Sequence, residues 1–174
     1  MVGFPCCSGV AYRTDIGGAT ERGRAVRRFG EPIVKGQSYR PRPGAYAILP
    51  RRGRLLLTHQ AEPTPEFQLP GGGIDPGESV LAALHREVLE ETGWRIAQPR
   101  RLGFFRRFTY MPEYELWAEK VCHIYIADPV RQLHEPTEPL HEAVWMDADL
   151  ALVQLGNDGD AQFVANHVLA SGSR

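Results

Sequence analysis

The sequence predicts an α/β fold on three observations: short apolar runs bounded by turn residues, one unbroken helical segment set among them, and two further helical segments near the C-terminal end. That order supports α/β/α layering. By itself it does not single out one fold.

The elements follow in turn. Ala45 to Leu49 and Arg54 to His59 are apolar runs separated by Pro50-Arg51-Arg52-Gly53, which predicts a hairpin. Phe67-Gln68-Leu69 is a brief strand that delivers the chain into the glycine-rich stretch Pro70 to Gly77, read as a loop because its residues favour turns and close backbone approach. Glu78 and Ser79 can each accept hydrogen bonds from the first free amides of a helix, and no breaker follows until Gly93, so a helix is expected over 79–92. Arg101 to Tyr110 and Glu115 to Ala127 read as two strands about the turn Met111-Pro112-Glu113. A last strand is expected at Ala143 to Met146, with helices over 147–152 and 160–170. Residues 1–28 lack sustained periodicity and read as a loosely packed extension, leaving 29–174 as one domain.

Composition excludes several classes. The 174 residues suit a single domain, and a formal net charge of -1 makes no electrostatic case for nucleic-acid or membrane binding. The three cysteines, Cys6, Cys7 and Cys122, form neither a disulfide framework nor a zinc spacing, which fits a reducing cytoplasm. No apolar run approaches the roughly 20 residues that span a bilayer, and the first residues do not resemble a secretory signal, so a soluble cytoplasmic protein is expected.

The most informative segment runs from Gly72 to Trp94. At about 100° per residue, Val80, Leu81, Leu84 and Val88 fall on one flank of the expected helix, and Glu87, Glu90 and Glu91 share an arc beside it. Carboxylates at such spacing repel one another, and partial burial raises the cost of ionising each. A hard cation such as Mg²⁺ or Mn²⁺ removes that penalty, since both prefer oxygen ligands. Arg86, beside Glu87 and one turn before Glu90, is placed to orient a carboxylate with its forked guanidinium.

Together these residues resemble the Nudix family, whose box is GX5EX7REUXEEXGU with U a bulky apolar residue. Gly72, Glu78, Arg86, Glu87, Val88, Glu90, Glu91, Gly93 and Trp94 fill every defined position, with Trp94 where a smaller aliphatic residue is more usual. The resemblance implies an α/β/α sandwich with a mixed β-sheet and a catalytic loop-helix-loop. It also implies metal-dependent hydrolysis of a nucleoside diphosphate linked to another group X. Carried over by position, Glu90 and Glu91 are metal ligands, Glu87 is a ligand or a base acting on water, and the Gly71 carbonyl is a further ligand. Arg86, Glu78, Gly72 and Gly93 support them.

Outside the box the expectations are looser. Glu138 and Glu142 precede the Val144-Trp145-Met146 strand, where family members bring a further acidic residue to the metals, and Glu142 is the preferred candidate. His134 and His141 rank below it. Phe104, Phe105, Phe108, Tyr110, Tyr114 and Trp117 form an aromatic group in which Phe105 and Tyr110 are candidates for stacking on a base. Arg42, or one of Arg40, Arg106 and Arg107, is a candidate for substrate phosphate. ADP-ribose-like and dinucleoside polyphosphate substrates stand level, with oxidised nucleoside triphosphates behind them and an RNA 5′ end as the one nucleic-acid target. A non-hydrolysing nucleotide sensor is the alternative, and homodimers are common in the family.

Overall fold

The fold is described from a computed structural model covering residues 26–62 and 65–168. Most of the expected 1–28 extension, with Cys6 and Cys7, lies outside the described residues, as do the last residues of the expected final helix.

The elements in chain order are β1 (Arg28–Gly30), β2 (Arg40–Ile48), β3 (Pro50–Arg51), β4 (Arg54–Gln60), β5 (Glu66–Gln68), β6 (Gly71–Gly73), α1 (Val80–Thr92), β7 (Trp94–Met111), β8 (Leu116–Gln132), β9 (His141–Asp147), α2 (Ala148–Gln154) and α3 (Asp158–His167). A 3₁₀ turn, Pro112–Tyr114, joins β7 to β8. One sheet has the order β1-β7-β8-β2-β6 and is mixed: β1 runs parallel to β7 and β2 parallel to β8, while the β7–β8 and β2–β6 pairs are antiparallel. The second sheet joins β3, β4 and β5, with β9 pairing along β4. The β3–β4 connection turns at Arg52 (φ 51°) and Gly53 (φ 77°), two left-handed residues that match the twist of a tight hairpin.

Strand alternation divides the apolar residues between two cores. Tyr46, Ile48, Leu55, Leu57, Phe105, Cys122 and Ile124 face α2 and α3, where Ala151, Leu155 and Val164 meet them. Ala45, Ala47, Leu49, Leu56, Tyr125 and Ala127 face the other way, against Ala83, Leu84 and Val88 of α1. Helices therefore cover both sides of the sheets, and the expected α/β/α layering is present.

Several expectations are corrected. The hairpin strands β7 and β8 extend well beyond 101–110 and 115–127, beginning at Trp94 and ending at Gln132. Arg28–Gly30 also forms a strand, parallel to β7. Gly71–Gly73 is edge strand β6, in register with Gly44–Tyr46, rather than loop. Glycine allows it, because a Cβ at Gly71 would strike the backbone of Ala45 and Tyr46. Leu81 is 45% exposed instead of anchoring α1. The buried face is centred on Leu84, Val88 and Glu91, which leaves Leu81 on its margin. Among the described residues, no helix is long and apolar enough to cross a membrane.

One buried acid makes stability depend on pH. Asp160 is 3% exposed, and its carboxylate accepts hydrogen bonds from Asn157 Nδ2 at 2.6 Å and from the backbone N–H of Leu69. Burial dominates and pushes its pKa up from 3.8 to about 6. An acid whose pKa is raised by folding holds its proton more tightly in the folded state. Its stabilising contribution is full below the unfolded value and is lost as pH rises through the folded value. Urea unfolding at about pH 4 and about pH 7.5 should show wild type losing on the order of 3 kcal/mol relative to Asp160→Asn. Parallel pH profiles for the two proteins would contradict this assignment.

Candidate active site

Helix α1 starts where Ser79 Oγ accepts the Ala82 amide at 3.2 Å, so Ser79 and not Glu78 is the cap. Glu78 serves the loop instead, accepting from the Asp75 amide at 3.2 Å and from Arg86 Nε at 3.0 Å and Nη2 at 2.9 Å. The helix stops at Gly93, which is left-handed (φ 72°) and donates to Leu89 O at 2.8 Å. A side chain there would overlap the His134 carbonyl, since the loop after β8 packs directly on this end. Leu133 N donates to Gly93 O at 2.8 Å and Thr137 N to Glu90 O at 2.8 Å. That docking carries Glu138 and His141 to the carboxylates.

The three glutamates differ in burial. Glu91 is 6% exposed at the centre of the buried helix face, while the Glu87 and Glu90 side chains are 15% and 37% exposed. Glu91 Oε2 accepts the Gly71 amide at 2.9 Å, joining α1 to β6. Burial pushes the Glu91 carboxyl up to about 8; the Gly71 N–H opposes the shift, the charges of Glu87 and Glu138 add to it, and Lys120 opposes it. Burial also raises Glu87, partly offset by Arg86. His141 is held below its usual range by burial, and its buried Nδ1, without a hydrogen bond, lies 3.7 Å from Glu91 Oε1.

Arg86 is the hub. Its Nη1 reaches Glu87 Oε1 at 2.8 Å and Glu90 Oε2 at 3.1 Å, and its Nη2 reaches Gly73 O at 3.0 Å and Glu78. These carboxylates hold its pKa well above the usual arginine range, opposed by burial, with Glu78 contributing most.

The donor set suits a hard divalent cation. Ala47 N bonds Pro70 O and Ile74 N bonds Pro43 O, so along the antiparallel pairing Gly71 falls at a non-hydrogen-bonded position. Its amide goes to Glu91, and its carbonyl is left outside the ladder on the sheet edge. That carbonyl and the carboxylates of Glu87, Glu90 and Glu91 are all oxygen donors, and the crowding that raises Glu91 is the kind a cation relieves. Among the described residues, no three His, Cys, Asp or Glu side chains are already gathered as a cage. Arg86, held by Glu87 and Glu90, accounts for part of this.

Not every candidate residue comes to this site. Glu142 lies within β9, exposed, on the opposite strand face from His141, Ala143 and Trp145, although it lines the adjoining cleft; the acidic residue whose charge reaches Glu87 and Glu91 is Glu138. Phe105 is fully buried beneath α3, edge-on to Phe29 at 5.3 Å, and has no face left for a base. Tyr110 is 41% exposed beside Trp117 at the tip of the β7–β8 hairpin, and alternation places it on the α1 side of the sheet, opposite Arg107. Arg42 lies over the Tyr114 ring at 4.9 Å, two residues before Gly44, which pairs with Gly73 of β6. A cleft of about 330 Å³ opens beside the loop that carries Glu138 and His141, lined by Trp94, Trp145, Glu138, His141 and Glu142. His141 was ranked low for want of spacing, since only the fold brings it to Glu91.

An α/β/α sandwich whose helix α1 presents arginine-held carboxylates to a glycine edge strand defines a class of fold with an acidic, oxygen-donor site at one sheet edge. Within that class the chain belongs to the Nudix family, matching the NUDIX domain over residues 38–167. It is 36% identical over 74 residues to a Bacillus subtilis protein provisionally named an 8-oxo-dGTP diphosphatase, covering 42% of this chain and 50% of that one. It is 46% identical over 65 residues to an RNA pyrophosphohydrolase of Mesorhizobium japonicum, covering 33% of this chain and 37% of that one. The chain thus spans half or less of the length of these curated relatives. A MutT NUDIX hydrolase from Burkholderia pseudomallei superposes with a TM-score of 0.59 and 26% identity, over 74% of this chain and 98% of that chain.

Two neighbouring glycines should respond differently to substitution. The atoms nearest to a Cβ at Gly72 are those of the Glu87 carboxylate, the end of a side chain, whereas a Cβ at Gly71 (φ 141°) meets backbone. Gly72→Ala should keep its unfolding midpoint and need more Mg²⁺ for half-maximal turnover. Gly71→Ala should lose at least about 1 to 3 kcal/mol. Equal destabilisation of the two in chemical denaturation would refute the distinction.

Proposed function

We propose that this protein is a Mg²⁺-dependent pyrophosphohydrolase acting on a nucleoside diphosphate linked to a further group. The observation that carries the reading is Glu91, a carboxylate buried at the junction of α1 and β6 and crowded by Glu87 and Glu138, which apolar packing alone does not explain. The family membership and the nucleotide chemistry in the names of its relatives support it.

Glu87, Glu90, Glu91 and the Gly71 carbonyl would hold the metal. When bound, Mg²⁺ neutralises pyrophosphate charge and lowers the pKa of a coordinated water. The chain's own groups do the rest. Arg86 holds Glu87 and Glu90 in a fixed orientation, and Glu78 fixes Arg86 in turn. Glu87, whose negative charge Arg86 offsets in part, and Glu138 near it are the carboxylates that would take a proton from the attacking water. The water oxygen forms a bond to phosphorus as the bridging P–O bond breaks. The bridging oxygen leaves with the departing phosphate, and the water proton passes to the carboxylate. His141, kept neutral by burial, offers a ring nitrogen on the same side.

The test is a turnover screen with Mg²⁺ and Mn²⁺ across nucleoside diphosphate derivatives, with products identified by mass. Glu91→Gln retains an acceptor for the Gly71 amide and removes the buried charge, so in chelator-treated buffer it should unfold no more easily than wild type. Turnover should fall by at least about 10²-fold, because a neutral amide is a poor Mg²⁺ ligand. Near-normal turnover would remove Glu91 from the site. Metal-dependent nucleotide binding without turnover of any substrate would favour a nucleotide sensor.

A further inference from the structure

Register places three cations in one row. Along β7, β8 and β2, Arg107 is paired with Lys120 and Lys120 with Arg42, on adjacent strands of the same sheet. Residues paired in this way project to the same face. That face is the one bearing Tyr46, Phe105 and Cys122, opposite the α1 side. With strands about 4.8 Å apart, the row spans roughly 10 Å and ends beside the β6 edge, where Gly44 pairs with Gly73.

The three cations are not equally committed. Arg107 Nη1 is tied to Glu66 Oε1 at 3.4 Å. Among the described residues, Lys120 and Arg42 have no ion-pair partner; Lys120 Nζ lies 5.9 Å from the Tyr46 ring centroid and Arg42 lies over Tyr114. Lys120 is close enough to both Glu91 and Asp160 to stabilise their charged forms, which places it between the metal-binding edge and the start of α3. All three side chains are partly exposed. Among the described residues neither Lys120 nor Arg42 is engaged in an ion pair, so their ammonium and guanidinium groups keep donors for a bound anion beside this edge.

We propose that Arg42, Lys120 and Arg107 form an anion subsite that receives phosphate beyond the pyrophosphate held at the glutamates, so the preferred substrate is a chain of three or more phosphates. This rests on the pyrophosphohydrolase reading and narrows it. Nucleoside triphosphates, triphosphate-ended RNA and dinucleoside polyphosphates share that chemistry, whereas in ADP-ribose-like compounds the group beyond the pyrophosphate is an uncharged sugar. Arg106 is excluded from the row because it points to the other face, where it pairs with Glu119. Arg40 shares the row's face but pairs with Ala118, one step farther from the β6 edge.

The experiment compares wild type, Lys120→Met and Lys120→Arg in two assays. In the first, kcat/KM is measured for a nucleoside triphosphate, a dinucleoside tetraphosphate, triphosphate-ended RNA and ADP-ribose, whose ranking separates the three polyphosphate sources. The ratio of the best polyphosphate to ADP-ribose should fall at least about tenfold in Lys120→Met, mainly through KM, and recover in Lys120→Arg. A ratio changed less than about threefold overturns the subsite. In the second, calorimetric titration with inorganic tripolyphosphate in Mg²⁺ needs no turnover. Wild type should bind it with a steeper salt dependence than Lys120→Met, and equal affinity and slope in the two proteins overturn the row. A wild type that binds tripolyphosphate through Lys120 but hydrolyses no substrate defeats the hydrolase reading while leaving the subsite standing.

Discussion

Placing a carboxylate at the centre of a helix's buried face is costly, and the site is built around the way Glu91 meets that cost. Its Oε2 takes the Gly71 amide at 2.9 Å, a donor that β6 can offer only because Gly71 falls at a non-hydrogen-bonded position against β2. One contact thereby joins the helix to the sheet edge. The glycines follow from the same contact: β6 lies so close to β2 and to Glu87 that side chains at Gly71 or Gly72 would collide with the backbone of Ala45 or with the Glu87 carboxylate. Gly93 belongs to the constraint too, since its left-handed turn lets the loop after β8 seat on the end of α1 and bring Glu138 and His141 over Glu91.

Arg86 solves a second problem. Glu78, Glu87 and Glu90 lie within reach of one another, and without a cation their mutual repulsion would open the loop or protonate one of them. A single guanidinium, 31% exposed, satisfies all three and also the Gly73 carbonyl. Lysine, with a compact ammonium, cannot address four acceptors in different directions at once. The same clasp explains why the carboxylates do not stand as an open cage. Glu87 and Glu90 are each oriented by Arg86, whereas Glu91 is oriented by backbone, so the members of the cluster have distinct supports.

Much of this was legible before the fold was known. The Gly72 to Trp94 spacing identified the helix, its terminus at Gly93 and the carboxylate edge, because those features are local and periodic. Features that depend on long-range pairing were not legible. Glu142 appeared the better acidic partner by its position before the last strand, yet pairing of β9 with β4 sets His141 and Glu142 on opposite faces. Phe105 and Tyr110 looked alike as strand aromatics, and only register shows one sealed under α3 and the other exposed on the α1 side at the hairpin tip. Gly71–Gly73 read as loop because three consecutive glycines disfavour a strand. Tertiary contact with β2 overrides that propensity. Lys120 carried no local signal at all, lying mid-strand in a chain of mixed charge.

The mixed sheet gives these parts their arrangement. Because β2 lies between β8 and the edge strand β6, the positions that face α1 feed the carboxylate cluster, while those on the opposite face lead from Arg107 through Lys120 and Arg42 toward the same edge. Negative charge is thus concentrated on one side of β6 and positive charge on the other, with the free carbonyl of Gly71 at the boundary. A divalent cation bound at the carboxylates would place positive charge on the remaining side as well, so a phosphate chain lying across the edge would meet favourable potential along its length. The net charge of -1 conceals this polarity, since opposite fields separated by one strand cancel in a sum over residues. On the polyphosphate reading proposed above, specificity for the group beyond the pyrophosphate would rest on the strand face that the family's glycine-to-glycine segment does not reach.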